Sequence, residues 1–307
     1  MRTCAALATL LLALLPSQTP APKRQVCFTI DDLPWVSAVP VSQDAIATYT
    51  RQLIAALVGN RIPAIGFVNE QKLAPDGNVE SQRVRLLQYW LDAGLNLGNH
   101  TFAHLDLHTT PLDEFQQDVV RGEAVTSKLL AASGKRLRYF RHPMLHTGRT
   151  LETKHRLETF LAARGYRVAP ITIDNYDYIF ARAYDRAPGK DKARILAAYL
   201  DYMTAIVEYY EQQSQVIVGR EIRQTLLLHA NALNADAVNS LARMFERRGY
   251  QFISLDHALD DPAYKLEDTY TGPAGMTWLH RWAITQGTKG IFAGEPVVPD
   301  WIAQAGK

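Results

Sequence analysis

The stretch Val26-Cys27-Phe28-Thr29-Ile30-Asp31-Asp32-Leu33-Pro34 joins an apolar run to two adjacent carboxylates and a proline. Its β-branched and aromatic residues are typical of a buried strand. Because successive side chains of a strand point to opposite faces, two acids that serve one site must lie where the pleat breaks, and Pro34 predicts that break at Asp31-Asp32. An isolated Asp-Asp more often opens a turn or caps a helix, so the pair indicates a site only if the chain supplies partners for it.

The first residues of the chain have the pattern of a secretory signal. Arg2 gives a basic start, an apolar run covers residues 5–15, and residues 16–21 form a small, turn-prone stretch. A run of about eleven apolar residues is too short for a stable membrane anchor. We therefore expect residues 1–21 to be a signal peptide, and the mature protein to be secreted or periplasmic with no integral membrane segment.

The remaining part, about 285 residues, is long enough for one large α/β domain with a sizeable core. The 33 Lys and Arg nearly balance the 31 Asp and Glu, for a net charge of +2. This balance argues against nucleic acid and against an anionic membrane as partners. Cys27 is alone in the expected mature chain, so we expect a core residue and no internal disulfide.

Short apolar segments alternate with amphipathic ones, the pattern of parallel strands joined by crossover helices. The sequence predicts strands at 26–30, 63–68, 95–98, 137–141, 166–173, 224–228 and 251–255. It predicts helices at 43–58, 80–93, 112–132, 151–164, 191–213 and 235–248. Seven strands favour a (β/α) barrel, complete or incomplete, in which chemistry collects at the carboxyl ends of the strands.

Two segments beyond this regular pattern have their own predictions. The long helix at 191–213 is either an enlarged crossover helix or a flap beside a substrate cleft. Residues 22–260 are expected to form the barrel, and residues 261–307 are expected to wrap it as a C-terminal extension rather than form a second domain.

Two histidines follow the third predicted strand. His100 and His104 are four residues apart, and on a helical turn this spacing places both imidazoles on one face. The spacing alone is weak, because exposed helices produce it by chance. Beside the carboxylates of the first strand, it predicts a divalent metal site that is open to water and substrate. His108 is expected to face solvent or to support a ligand.

Two further strand ends carry polar residues. Arg141 lies at the end of the fourth predicted strand, where it either orients an aspartate of the first strand or lies on the surface. The apolar sixth strand ends in His229, a placement that suits a general acid or a hydrogen-bonded structural histidine.

Five motifs, in this order, resemble those of the polysaccharide deacetylases, the NodB-homology carbohydrate esterases of family 4. They are Thr29-Ile30-Asp31-Asp32, His100-Thr101-x-x-His104, Arg141-x-Pro143, Asp174-x-x-Asp177-Tyr178 and Leu227-Leu228-His229. The resemblance implies a distorted (β/α)7 barrel and removal of acetyl groups from an N-acetylated or O-acetylated glycan. It also implies a divalent metal, commonly Zn²⁺, with Co²⁺, Ni²⁺ and Mn²⁺ as alternatives.

The resemblance also implies roles for single residues. By motif matching they are Asp31 as base, Asp32, His100 and His104 as metal ligands, Arg141 as the residue that steers the base, His229 as general acid, and Asp174 or Asp177 as the residue that tunes it. Residues that match the substrate-binding wall are Pro143, Met144, Leu145 and Tyr178. The chain departs from the family pattern at Leu33, Tyr178 and His146-Thr147.

These residues suit metal-assisted hydrolysis, in which the ion acidifies a bound water, Asp31 takes its proton and His229 protonates the leaving amine or alcohol. A backbone N–H near Met144-Leu145 is expected to stabilise the oxyanion. Two alternatives stay open: an amidohydrolase that cuts a non-sugar C–N bond, and a glycan-binding module without turnover. A binding module does not need a base opposite an acid, so Asp31 and His229 favour an enzyme.

Overall fold

The computed structural model describes residues 24–307, and within them seven parallel strands form one curled sheet. The strands are β1 (Arg24–Leu33), β2 (Ile65–Val68), β3 (Asn96–Asn99), β4 (Tyr139–Phe140), β5 (Arg167–Val168), β6 (Gln224–His229) and β7 (Tyr250–Phe252). The strand order is β5-β4-β3-β2-β1-β6, and β7 pairs with the first residues of β1. Beyond β5, Ile173 bridges to Leu226 of β6, so the two ends of this order meet. The predicted distorted (β/α)7 barrel is confirmed.

Helices surround the sheet. Those of the described residues are α1 (Gln43–Gly59), α2 (Ser81–Asp92), α3 (Leu112–Arg121), α4 (Thr126–Ala132), α5 (Leu151–Ala163), α6 (Asp177–Arg186), α7 (Gly189–Val218), α8 (Ala232–Arg247), α9 (Leu255–Leu259), α10 (Trp278–Gln286) and α11 (Asp300–Ala305). None of them is both long enough and apolar enough to cross a membrane. The predicted signal peptide lies outside the described residues.

Strand β1 is the centre of the barrel. It pairs with β2 on one side and with β6 on the other, and Cys27 and its apolar neighbours are fully buried, as predicted. The strand does not stop at Asp31 but continues to Leu33 through a shift in its pairing with β2. Asp32 has a left-handed φ of 68° within this irregular stretch, so the pleat breaks where the sequence predicts. The Leu33–Pro34 peptide bond is cis.

The predicted strand at 166–173 is wrong in its extent. Only Arg167–Val168 forms a regular strand, and pairing resumes at Ile173. Pro170 interrupts the segment because it has no N–H to donate to a neighbouring strand. Its carbonyl oxygen instead accepts a hydrogen bond from the hydroxyl of Thr225 at 2.8 Å.

The predicted helix at 112–132 is two helices, α3 and α4. At Gly122 the chain approaches the loop after β3 so closely that an added Cβ would lie 2.7 Å from the carbonyl carbon of Thr101. The carboxylate of Glu70 then accepts backbone N–H bonds from Val125 and Thr126 at 2.7 to 2.9 Å, where α4 begins. Close packing and this acidic partner explain the break.

The long helix α7 packs against α6, α8 and α10 and does not line the cleft described below. It is therefore an enlarged crossover helix rather than a flap. The wall beside the cleft belongs to α6, which the sequence does not predict. Residues beyond 261 contain α10 and α11, which pack on α7 and α6 respectively.

Candidate active site

A cleft with a volume of about 750 Å³ opens at the carboxyl ends of the strands. The acidic and histidine side chains that line it include Asp31, Asp32, His100, His104, Asp174 and His229. They come from β1, β6 and the loops after β3 and β5. The barrel thus brings together residues that lie up to about 200 positions apart in the sequence.

Asp32, His100 and His104 form a group of three metal-binding side chains. Their ligand-capable atoms lie within 4.8 Å of one another. Nδ1 of His100 lies 2.9 Å from the carbonyl oxygen of Arg141, a contact that orients the ring and leaves Nε2 free. Oδ1 of Asp32 is buried without a hydrogen-bond partner and lies 3.8 Å from Nε2 of His104.

The charge states in this group suit a divalent ion. Burial lowers the pKa of both histidines, so they offer neutral imidazoles at neutral pH. Burial would raise the pKa of Asp32, but nearby cationic groups, Lys72 foremost, hold it below its usual value. One ionised carboxylate and two imidazoles fit Zn²⁺ and related ions.

The two histidines do not lie on the predicted helical turn. Thr101 and His104 both have left-handed φ values, 65° and 56°. Side-chain hydrogen bonds hold this loop: Oδ1 of Asn99 accepts from the N–H of Thr101 at 2.6 Å, and Oγ1 of Thr101 accepts from the N–H of His104 at 3.0 Å. The loop still brings the rings of His100 and His104 together, with centroids 4.8 Å apart.

Asp31 lies beside the buried guanidinium of Arg141. Nη1 of Arg141 is 3.4 Å from Oδ2 of Asp31, and Nη2 donates to the hydroxyl of Thr29 at 3.0 Å. Arg141 is fully buried, so the surface alternative for this residue is excluded. Burial raises the pKa of Asp31 to about 6, although the charge of Arg141 opposes the shift. Above that pH, Asp31 is ionised and can accept a proton.

His229 is paired with Asp177. Nδ1 of His229 lies 2.7 Å from Oδ1 of Asp177, and its backbone N–H donates to Oδ2 at 2.8 Å. Asn234 also donates to Oδ2, at 2.5 Å. Burial alone would lower the pKa of His229, but the Asp177 carboxylate raises it to about 10. The imidazolium form is therefore present at neutral pH and can donate a proton.

The structure thus distinguishes the two aspartates between which the sequence could not choose. Oδ1 of Asp174 accepts from the backbone N–H of Asn175 at 2.7 Å, and the side chain lines the cleft. Asp177 is the carboxylate in contact with His229.

The predicted substrate-binding residues have different environments. Met144 and Tyr178 line the cleft and are 48% and 41% exposed, and the Tyr178 ring lies edge-on to that of His229. Leu145 lines the cleft but is buried, and its N–H already donates to the carbonyl of His142 at 3.1 Å. Met144 is therefore the better candidate for the oxyanion N–H. Pro143 is buried and shapes the turn Pro143–Leu145.

Sequence reasoning missed several residues that support the site. Nζ of Lys72 lies 3.1 Å from Oδ1 of Asp32, without hydrogen-bond geometry. Asp185 of α6 accepts from Ser37 at 3.0 Å and from the N–H of Ala38 at 2.8 Å, fixing one wall of the cleft. Thr29 is part of the first motif, but its hydrogen bond with Arg141 was not predicted. Its position two residues before Asp31, and so on the same face of the strand, was the signal for this contact.

Fold and site together define a (β/α)7-barrel protein with an aspartate and histidine cleft at the carboxyl ends of its strands. Residues 18–159 match the family model described as polysaccharide deacetylase. The match covers slightly less than half of the chain, and it shows that this part of the chain is similar to the polysaccharide deacetylases.

Solved structures show the same fold. PdaA from Bacillus subtilis, a family 4 carbohydrate esterase, is 18% identical with a TM-score of 0.51, over 77% of this chain and 81% of that one. A family 4 pseudoenzyme from Bacillus anthracis is 16% identical with a TM-score of 0.50, over 78% and 66%. A mutant pseudoenzyme of this family with restored activity is 18% identical with a TM-score of 0.51, over 78% and 68%.

Proposed function

We propose that this protein is a metal-dependent hydrolase that removes acetyl groups from a glycan. One observation carries the proposal: Asp31 and His229 line the same cleft as the group Asp32, His100 and His104. Each of the two has its own buried partner, Arg141 for Asp31 and Asp177 for His229. The family match and the aromatic wall at Tyr178 support a glycan as substrate.

The proposed mechanism assigns a task to each residue. Asp32, His100 and His104 would hold a divalent ion, which would act as a Lewis acid toward the acetyl carbonyl. Asp31, steered by Arg141, accepts a proton as water attacks the carbonyl carbon. The N–H of Met144 donates to the oxygen that becomes negative.

His229 completes the reaction as general acid. Its Nδ1–H is held by Asp177, so the Nε2–H is the proton that can be transferred to the leaving nitrogen or oxygen. The bond between the acetyl carbon and this atom breaks, and acetate and a free amine or hydroxyl are released. His229 must regain a proton before the next turnover, which its high pKa favours.

The proposal is tested by measuring acetate release, with and without a chelator, from N-acetylated chitin oligomers, peptidoglycan and O-acetylated xylan. Small cyclic amides are included as non-sugar substrates. We expect chelator-sensitive acetate release from at least one glycan. Hydrolysis of the cyclic amides alone would instead identify the amidohydrolase alternative.

The same assay separates an enzyme from an inactive glycan-binding module. One structural neighbour is a pseudoenzyme, so fold alone does not decide between them. Glycan binding without acetate release, by protein loaded with Zn²⁺, would favour the binding module. The contact of His229 with Asp177 supports turnover, because a binding site does not need a charged proton donor.

We also propose that the protein is exported and loses residues 1–21. The basic start and the apolar run of those residues support this proposal. Sequencing the N-terminus of protein from its native compartment tests it. A chain that starts near residue 22 in the periplasm or medium is the expected result, and a cytoplasmic chain that starts at Met1 contradicts it.

A further inference from the structure

Outside the cleft, a second aspartate lies close to two further histidines. Asp106 and His108 belong to the loop between β3 and α3, and His146 follows the turn Pro143–Leu145 after β4. Their ligand-capable atoms lie within 4.8 Å of one another. We propose that Asp106, His108 and His146 form a second binding site, for a divalent transition-metal ion such as Zn²⁺.

Contacts within this cluster already bring the three side chains together. Nδ1 of His146 lies 2.7 Å from Oδ1 of Asp106, and the same oxygen accepts from the backbone N–H of His108 at 2.8 Å. The side chains of His146 and Asp106 are 15% and 21% exposed, so an ion has access from solvent. The three side chains are thus held together by their own contacts, and the cluster remains accessible to solvent.

The donor set determines the class of ion. One carboxylate and two imidazoles repeat the composition of the group Asp32, His100 and His104, and such sets favour Zn²⁺, Co²⁺ or Ni²⁺ over Ca²⁺ or Mg²⁺.

The imidazole rings of His108 and His146 are stacked, and binding of an ion would disrupt this stacking. Their centroids lie 3.7 Å apart, with an interplanar angle of 7°. Lone pairs of parallel rings do not converge on one point, so binding requires one imidazole to rotate out of the stack. This rotation gives the site a spectroscopic signature that is separate from activity.

An ion in the cluster would join two loops that build the cleft. The loop of Asp106 and His108 also carries His104, and His146 follows Met144 and Leu145. The segment at Gly275 packs against the turn Pro143–Leu145, where an added Cβ would collide with the carbonyl oxygen of Met144. The second site would thus stabilise the cleft wall rather than take part in the reaction.

Titration of metal-free protein with Zn²⁺ alone tests the proposal. We expect two equivalents for the wild type, and one each for His108→Ala, His146→Ala and His104→Ala, with the lost site weakened about tenfold or more. His155→Ala is the matched control, because His155 is exposed on α5 outside both groups, and it should bind two. The imidazole NMR signals of His108 and His146 should shift together in His104→Ala as its single equivalent binds.

The variants also show which of the two proposed metal sites is absent if the wild type binds only one equivalent. A wild type that binds one equivalent, lost in His104→Ala and kept in His108→Ala and His146→Ala, would overturn the second site and leave the cleft site intact. If the wild type binds one equivalent that is lost in His108→Ala and kept in His104→Ala, the second site is supported and the cleft site is overturned. A further test uses the wild type and so does not depend on the folding of a variant. If saturation with Zn²⁺ leaves the imidazole signals of His108 and His146 unshifted, the proposal is overturned.

Discussion

At the scale of single residues, the site depends on what lies beside each acid and each histidine. Asp31 and Asp32 are neighbours in sequence, yet burial raises the pKa of Asp31 while cationic neighbours hold that of Asp32 down against its burial. The left-handed φ of Asp32 separates them by turning the chain between the two carboxylates. Identical side chains can thus hold a proton or an ion according to their neighbours.

Asp177→Asn should change the dependence of activity on pH. His229 has to be an imidazolium to donate a proton, and with a pKa of about 10 it is charged up to alkaline pH. Without the Asp177 carboxylate, this pKa should fall toward its usual range, so activity should decline at a lower pH than in the wild type. A pH profile of kcat/KM measures the shift. An unchanged alkaline limb would show that Asp177 does not tune His229.

Lys72→Met should tighten metal binding in the cleft. The ammonium lies 3.1 Å from Oδ1 of Asp32 and repels a divalent ion there. Removing one positive charge at such a distance is worth about 1 to 2 kcal/mol, or roughly tenfold in Kd. Competition with a coloured chelator measures the change in Kd, with Lys190→Met, at an exposed position of α7, as control. Weaker binding in Lys72→Met would mean that Lys72 positions Asp32 instead.

The sequence predicted which residues line the cleft better than how they contact one another. Strand ends and motif order predicted the positions of Asp31, Asp32 and His229. The choice between Asp174 and Asp177 needed the path of the chain after Ile173, which no local pattern encodes. Lys72 was missed because it comes from the short turn Glu70–Leu73, where a lysine carries no signal of its own.

At the scale of secondary structure, close approaches between elements position the histidine loop. Gly122 follows α3 and packs against the backbone of Thr101, between His100 and His104. Elements whose ends depend on such contacts, or on the missing N–H of Pro170, were predicted with wrong boundaries. The long helices and β1, whose apolar patterns are continuous, were predicted within a few residues.

Gly122→Ala should destabilise the protein by about 1 to 3 kcal/mol and weaken metal binding in the cleft, because the new methyl group displaces the backbone of Thr101. Gly59→Ala is the matched control: Gly59 ends α1, and an added Cβ there meets nothing within 4 Å. Urea unfolding and Zn²⁺ affinity measure both effects. Equal stability of the two variants would contradict the close packing at Gly122.

At the scale of the whole molecule, a buried ion cluster joins the C-terminal extension to the barrel. Asp268 lies 2.7 Å from Nζ of Lys154 on α5 and 2.8 Å from Nε of Arg281 on α10. Arg281 also donates to the carbonyl of Leu145 at 3.2 Å, beside the cleft. We therefore infer that residues 261–307 support the cleft as part of one folded unit with the barrel.

Asp268→Asn should cost about 3 to 5 kcal/mol of unfolding free energy, because the buried Lys154 and Arg281 would lose the carboxylate that pairs with both of them. Asp113→Asn removes one partner of an exposed pair with Arg156 and should cost less than about 1 kcal/mol. Chemical denaturation compares the two. Similar values for both would show that the buried cluster does not hold the extension in place.

The most direct test of the proposed function measures bound metal and acetate release in the same preparations of wild type, Asp31→Asn and Asp32→Asn. Asp31→Asn should keep the ion in the cleft and lose about 10²–10⁴-fold in acetate release, because an amide cannot accept the proton. Asp32→Asn should lose both, since a charged ligand becomes neutral. Equal metal loss in the two variants, or wild-type acetate release by Asp31→Asn, would contradict the assignment of Asp31 as base and Asp32 as ligand.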